Sequence, residues 1–182
     1  MASTTTQPYR IPFAGIGYRY GSEELRIVAH AMENSSTYTQ GPHQGEFEAA
    51  FAKFLHSDHR CFATSSAAAA IELAAILSGV GPGDEVIIPA HTYNASAYPF
   101  ARRGAQIRWA DIDESTFVMD PASVQSLISP ATKVIVAVHL YGLPVDMHPI
   151  LRMAKERNIY VVEDCAQSIG AEYRGAITGT LG

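Results

Sequence analysis

"VVEDCAQSIG", residues 161–170, runs two valines into two carboxylates and then into small polar residues. A short apolar, β-branched run bounded by polar residues reads as a strand buried on both faces. A carboxylate at the end of such a strand is costly unless something partners it, so Glu163 and Asp164 need an explanation. Upstream, the same kind of run recurs. "RCFATS" (60–65), "EVIIPA" (85–90), "AQIRWADI" (105–112) and "KVIVAVHLYG" (133–142) all read as strands. Between them lie helical patterns: "AAAAIELAAILSGVG" (67–81), "ASAYPFARRG" (95–104, kinked near Pro99), "DPASVQSLI" (120–128, capped by Asp120) and "DMHPILRMAKERN" (146–158). The alternation predicts an α/β fold, a mainly parallel sheet with helices on both faces.

Ahead of this region the reading is a tail and loop over 1–22, with the domain proper over 23–182. Gly15, Gly17 and Gly21 have the spacing GxGxxxG and no strand before them, so they are not a dinucleotide loop. "SEELRIVAHAMEN" (22–34) reads as a helix with Ser22 as cap, and "TQGPHQG" (39–45) as a break. "EFEAAFAKFL" (46–55) sets Phe47, Phe51, Phe54 and Leu55 on one helical stripe, which reads as core. The closing segment, "CAQSIGAEYRGAITGTLG" (165–182), reads as loop, an odd finish for a parallel sheet.

With 182 residues, 47% hydrophobic and 17% charged, the chain is globular. A net charge of −5 argues against a nucleic-acid surface. No apolar run reaches the roughly 18–20 residues of a membrane span. Two cysteines, Cys61 and Cys165, fit no metal spacing or disulfide framework and suggest a reducing, cytoplasmic setting. His56 and His59 form an HxxH without a third ligand, so no metal is expected.

Ligands of open parallel sheets sit beyond the carboxyl ends of the strands. The residues there are Thr64, Ser65, Ser66 and Ala67; His91, Thr92, Tyr93 and Asn94; Asp111 and Asp113; His139 and Tyr141; and Glu163, Asp164 and Gln167. Each has a plain alternative. Ser65 and Ser66 can cap a helix, Tyr93 can be rim packing, and His139 can be a satisfied structural histidine. An acid beside Cys165 raises a thiol pKa and argues against a nucleophile. Asp164 is harder to set aside. A pyridinium nitrogen would partner such an acid, and in pyridoxal phosphate enzymes an acid there keeps the ring an electron acceptor.

At this point five ordered blocks resemble one family. "TQGP" (39–42), "GPGDEVIIPAHTY" (81–93), "DID" (111–113), "VHLYGLPVDM" (138–147) and "EDCAQSIGAEYRG" (163–175) are similar to those of the DegT-type (DegT/DnrJ/StrS) sugar aminotransferases. These are pyridoxal phosphate enzymes of fold type I, with an aspartate aminotransferase-like large domain. The resemblance implies Asp164 on the pyridine nitrogen, Gln167 on the ring-hydroxyl side and Tyr93 stacked on the ring. It implies a phosphate turn at Ser66, Ala67 and Ala68, with Ala68 where the family usually has threonine. It implies amino transfer to a keto-sugar, usually nucleotide-linked, from an amino-acid donor, in a homodimer.

In that family the Schiff-base lysine follows the segment that ends here, so the resemblance places it beyond Gly182. Lys53, Lys133 and Lys155 are poor substitutes, and no catalytic residue is assigned within the chain. The expectation is an incomplete large domain, without the C-terminal small domain, from a longer enzyme. The alternatives are a noncatalytic homologue that binds or interacts through an open sheet edge, or a dehydratase or deoxygenase of the same fold.

Overall fold

The apolar runs become a four-stranded sheet. β1 (Glu85–Pro89), β2 (Gln106–Ala110), β3 (Thr132–Val138) and β4 (Tyr160–Asp164) are all parallel, in the order β2-β1-β3-β4. The computed structural model describes residues 20–37, 39 and 41–182. The expected tail, with Gly15 and Gly17, lies outside the described residues, as does Gln40 of the "TQGP" block. By its internal contacts the chain divides into two units, Met1–Gly45 and Glu46–Gly182.

In the first unit, α1 (Ser22–Asn34) begins one residue away from the expected cap. Ser22 is the first helical residue, and Gly21 precedes it with its N–H donating to Glu24 Oε2 at 2.8 Å. Glu23 and Glu24 also favour the positive end of the helix dipole. The helix α2 (Pro42–Phe54) starts four residues before the expected 46. Proline suits the first position of a helix, and Gly45 weakens the interior by only about 1 kcal/mol, so "TQGPHQG" does not break the chain where composition suggests.

In the second unit the phenylalanine stripe departs from its expected role as core. Phe47 and Phe54 are 56% and 46% exposed, and no residue of α2 is buried. The rings stack on one another instead, with centroids 5.8 Å apart for Phe47–Phe51 and 6.0 Å for Phe51–Phe54. "RCFATS" is not a strand, because no described strand pairs with it. Its Ala63 N–H donates to Glu48 Oε1 at 2.9 Å rather than to a ladder carbonyl.

The helices lie where handedness puts them. β1 reaches β2 through α4 (Tyr98–Arg102), moving to one side. β2 reaches β3 through α5 (Pro121–Leu127), and β3 reaches β4 through α6 (Met147–Arg157), both moving to the other. Right-handed crossovers in opposite directions put their helices on opposite faces. Accordingly α3 (Ala67–Leu77) packs with α4, and α5 packs with α6. The core between them includes Ile87, Ile88, Phe100, Ile135, Met147 and Ile150, all fully buried. Asp120 caps α5 as expected, accepting from Ala122 N–H at 2.9 Å. Asn158, at φ 55°, closes α6 in the left-handed conformation.

The direction of winding reverses between β1 and β3. That reversal is the topological switch point, where a crevice opens beyond the strand ends. The segment after β4 is more ordered than a loop: β5 (Glu172–Tyr173) and β6 (Ala176–Ile177) form an antiparallel hairpin. Its turn, Arg174–Gly175, has φ 52° and 83°, the paired positive values that a two-residue hairpin turn of type I′ requires.

Candidate functional site

Successive side chains of a strand point to opposite faces, so the two acids ending β4 part company. Asp164 is buried, and its carboxylate accepts from Ser96 Oγ at 2.7 Å and from Ala166 N–H at 3.1 Å. Ser96, also buried, lies 2.9 Å from Thr92 Oγ1. With its one proton given to Asp164, the Ser96 hydroxyl accepts from Thr92. A short relay therefore runs from the loop after β1 to the acid after β4.

Glu163 goes the other way. Its side chain is 3% exposed and that of His139 is 0% exposed, and the two meet at 3.0 Å. Val145 N–H donates to His139 Nδ1 at 3.0 Å. The proton of this ring therefore sits on Nε2 and points at Glu163. The other acceptor positions of Glu163 take Gly179 N–H at 2.8 Å and Leu181 and Gly182 N–H at 2.7 Å each. Burial pushes the Glu163 carboxyl up, but His139 and the three amides together outweigh it and hold it below the ordinary range. Cys165 adds a third ligand-type atom within 4.8 Å. Both ring nitrogens of His139 and both oxygens of Glu163 are already engaged, so this is a hydrogen-bonded cluster rather than an open ligand set. Burial pushes the Cys165 thiol up to about 11, more than the neighbouring acids do. The thiol is thus kept protonated chiefly by burial, with Glu163 and Asp164 adding to it.

At the start of α3, Ser66 is the cap: its Oγ accepts from Ala69 N–H at 3.2 Å. The amides of Ala67 and Ala68 have no hydrogen-bond partner among the described residues, which leaves them for an anion. A cleft of about 530 Å³ brings Ser66 and Ala67 together with Asp164, beside Phe51, Phe62 and Ile169. Ala68 and Tyr93 line a second cleft, of about 290 Å³, with Asn94 and Tyr98. Tyr93 is 73% exposed, so rim packing does not account for it.

Gln167 lines neither cleft. Its Oε1 accepts from Tyr141 N–H at 2.9 Å, so its amide is oriented with the NH₂ turned away from that contact. Tyr141, at φ 56°, meets His91 across the switch point, ring centroids 5.9 Å apart. Asp111 and Asp113 do not join the site. Asp113 closes its own turn, accepting from Ser115 and Thr116. Lys133, the second residue of β3, lies at the far end of the sheet and donates to Gly79 O and Asp84.

The profile of the DegT/DnrJ/EryC1/StrS aminotransferase family matches residues 19–182. The chain belongs to this family. It is 42% identical over 164 residues to the GDP-perosamine synthase of Caulobacter vibrioides, covering 90% of this chain and 44% of that protein. It is 38% identical over 183 residues to the dTDP-3-amino-3,4,6-trideoxy-alpha-D-glucose transaminase of Streptomyces venezuelae, covering 98% and 47%. Among solved structures, the aminotransferase from Psychrobacter cryohalolentis superposes with a TM-score of 0.85 at 34% identity, over 94% of this chain and 43% of that one. The chain thus spans less than half the length of each. The parallel sheet with helices on both faces is the fold of these aminotransferases.

Ser96, Thr92 as its donor, and the role of Glu163 were not evident from the sequence. A serine between two alanines carries no signal, and its contact with Asp164 spans 68 positions.

The buried acids set a pH dependence. Glu85 is held low by the Ser129 hydroxyl and, against burial, by Arg108; Glu163 is held low as described. A carboxyl whose folded pKa is depressed contributes stability above its unfolded value and loses it as pH falls through the folded one. The melting temperature is therefore expected to be flat above about pH 5 and to fall below the ordinary glutamate value of about 4.3. Thermal melts between pH 3 and 7 check this, and a stability that rises on acidification contradicts it.

Proposed function

We propose that this family member is the cofactor-binding part of a pyridoxal phosphate-dependent aminotransferase that transfers an amino group from an amino acid to a keto-sugar, usually a nucleotide-linked one. The observation that carries the reading is Asp164: a buried carboxylate with two donors fixed and acceptor capacity left over, in one cleft with a helix start. The residues fit the cofactor. Asp164 would hold the ring N–H, the amides of Ala67 and Ala68 with Ser66 would hold the phosphate, and Tyr93 would cover a ring face. Gln167 would offer its NH₂ to the ring hydroxyl, since Tyr141 already occupies its oxygen. When bound, the cofactor supplies an electron sink for the substrate carbon. What the chain supplies is a fixed negative charge at the ring nitrogen, backed by Ser96 and Thr92.

In this reading residues 23–182 are part of the large domain, and the whole enzyme is a cytoplasmic homodimer. Among the described residues, no helix is long and apolar enough to cross a membrane. Relatives named for GDP-perosamine and for a dTDP-amino-sugar support nucleotide-linked sugars, while one named for 2-deoxy-scyllo-inosose keeps cyclitols open as substrates.

Equilibrium dialysis against pyridoxal phosphate tests the reading. One saturable site per chain, competed by inorganic phosphate, is expected; no saturable binding into the millimolar range overturns it. Ala68 gives a finer check. Threonine there adds a hydroxyl beside the free amides, so Ala68→Thr is expected to tighten binding by one hydrogen bond, about 0.5–1.5 kcal/mol. The same dialysis measures it, and weaker binding by the variant would displace the phosphate from this turn.

A further inference from the structure

Two acids end β4, and the reading above uses only Asp164. Glu163 is the more deeply committed of the two. Its carboxylate collects four donors, His139 Nε2 and the amides of Gly179, Leu181 and Gly182. Those three amides belong to a segment that is in no sheet, yet lies flush on β4. A methyl group on Gly182 would come within 2.8 Å of Val161 O, and one on Gly179 within 3.2 Å of Cys165 Sγ. Strand edges usually satisfy such amides with carbonyls; here one side chain does it. His139 locks the carboxylate in turn, because its own ring is held by Val145 N–H.

We infer that Glu163 is a positioning residue, a buried clamp that fixes residues 179–182 against the end of β4 and so sets their path relative to Asp164. The inference rests on the site reading above for its bearing on catalysis, because only there does Asp164 face the cofactor. Neighbouring residues then divide the work by strand alternation. Asp164 holds the ring on one face, and Glu163 holds the adjoining chain on the other. The clamp acts on backbone, not on cofactor.

The discriminating variant is Glu163→Gln. It keeps the shape but replaces one acceptor oxygen by an NH₂, which faces N–H donors whichever way the amide turns. Amide hydrogen exchange of the whole chain, read by NMR, is the first measurement. In the unaltered protein Gly179, Leu181 and Gly182 are expected to exchange at least tenfold more slowly than Thr180, whose N–H has no partner among the described residues. In Glu163→Gln the amides that face the new NH₂, either Gly179 or the Leu181–Gly182 pair, are expected to speed up at least tenfold while β1 and β3 amides stay within twofold. Equal rates for Thr180 and its neighbours in the unaltered protein overturn the clamp even if the variant does not fold.

Pyridoxal phosphate dialysis separates the two ideas. Glu163→Gln is expected to change affinity less than threefold, whereas Asp164→Ala weakens it strongly and leaves 179–182 protected. Weakened affinity in Glu163→Gln with unchanged exchange would overturn the clamp and make Glu163 a cofactor contact. If the unaltered chain binds no pyridoxal phosphate, the site reading fails alone, and the exchange pattern still decides the clamp.

Discussion

Asp164→Ala is expected to lower the amino-transfer activity of the proposed whole enzyme by two to four orders of magnitude. The size follows from what is removed. A buried charge deprived of its partner costs about 3–5 kcal/mol, and each 1.36 kcal/mol is about tenfold in rate. In the proposed complex the charge left alone is the ring N–H, and a ring that loses its proton loses its draw on electrons. The variant also strands the Ser96 hydroxyl, which donates to Asp164 at 2.7 Å. Asp164→Asn separates the two effects. It keeps a hydrogen-bond partner for Ser96 but removes the charge, so it should fold normally and still lose most of the rate. Steady-state rates together with cofactor affinity check the expectation. A near wild-type rate in Asp164→Ala would remove the cofactor assignment, because the other carboxylates lining the cleft are Glu48, which accepts from Ala63 N–H, and Glu163. Glu163 is already filled by four donors.

Phe100→Ala is expected to destabilise the fold by about 3–5 kcal/mol. Phe100 is fully buried in a helix of five residues, α4, which has Pro99 inside its first turn. So short a helix is not stable by itself. It is held by what Phe100 buries between α3 and the edge strand β2, and truncation leaves a cavity that the short helix cannot close. Against a typical domain stability of about 5–15 kcal/mol, the loss takes about a fifth or more. Urea denaturation measures it, with Leu77→Ala as the control. Leu77 is 84% exposed, so its truncation should stay within about 0.5 kcal/mol. A Phe100→Ala loss no larger than the control would mean that α4 does not anchor β2.

The site is partly legible in the sequence. Asp164 stood out because a carboxylate at the end of an apolar strand demands a partner, and it is indeed buried with donors on it. Ser66 reads as either cap or cradle; it is a cap, and the amides behind it have no partner among the described residues. The phenylalanine stripe misled, because helical periodicity shows that a face is apolar and not what covers it. "RCFATS" misled for the related reason that β-branched and aromatic composition cannot supply a pairing partner.

Local chemistry was enough for the strands β1 to β4, the helices between them and the parallel class of the sheet. Each of these depends on periodicity, caps and crossover length within a few dozen residues. The strand order, and with it the switch point between β1 and β3, depends on contacts that propensity does not encode. So does the parting of the two acids at 163 and 164. Strand alternation predicts that they face opposite ways, but only tertiary packing decides which meets Ser96 and which meets His139, because those partners arrive from 68 and 24 residues away.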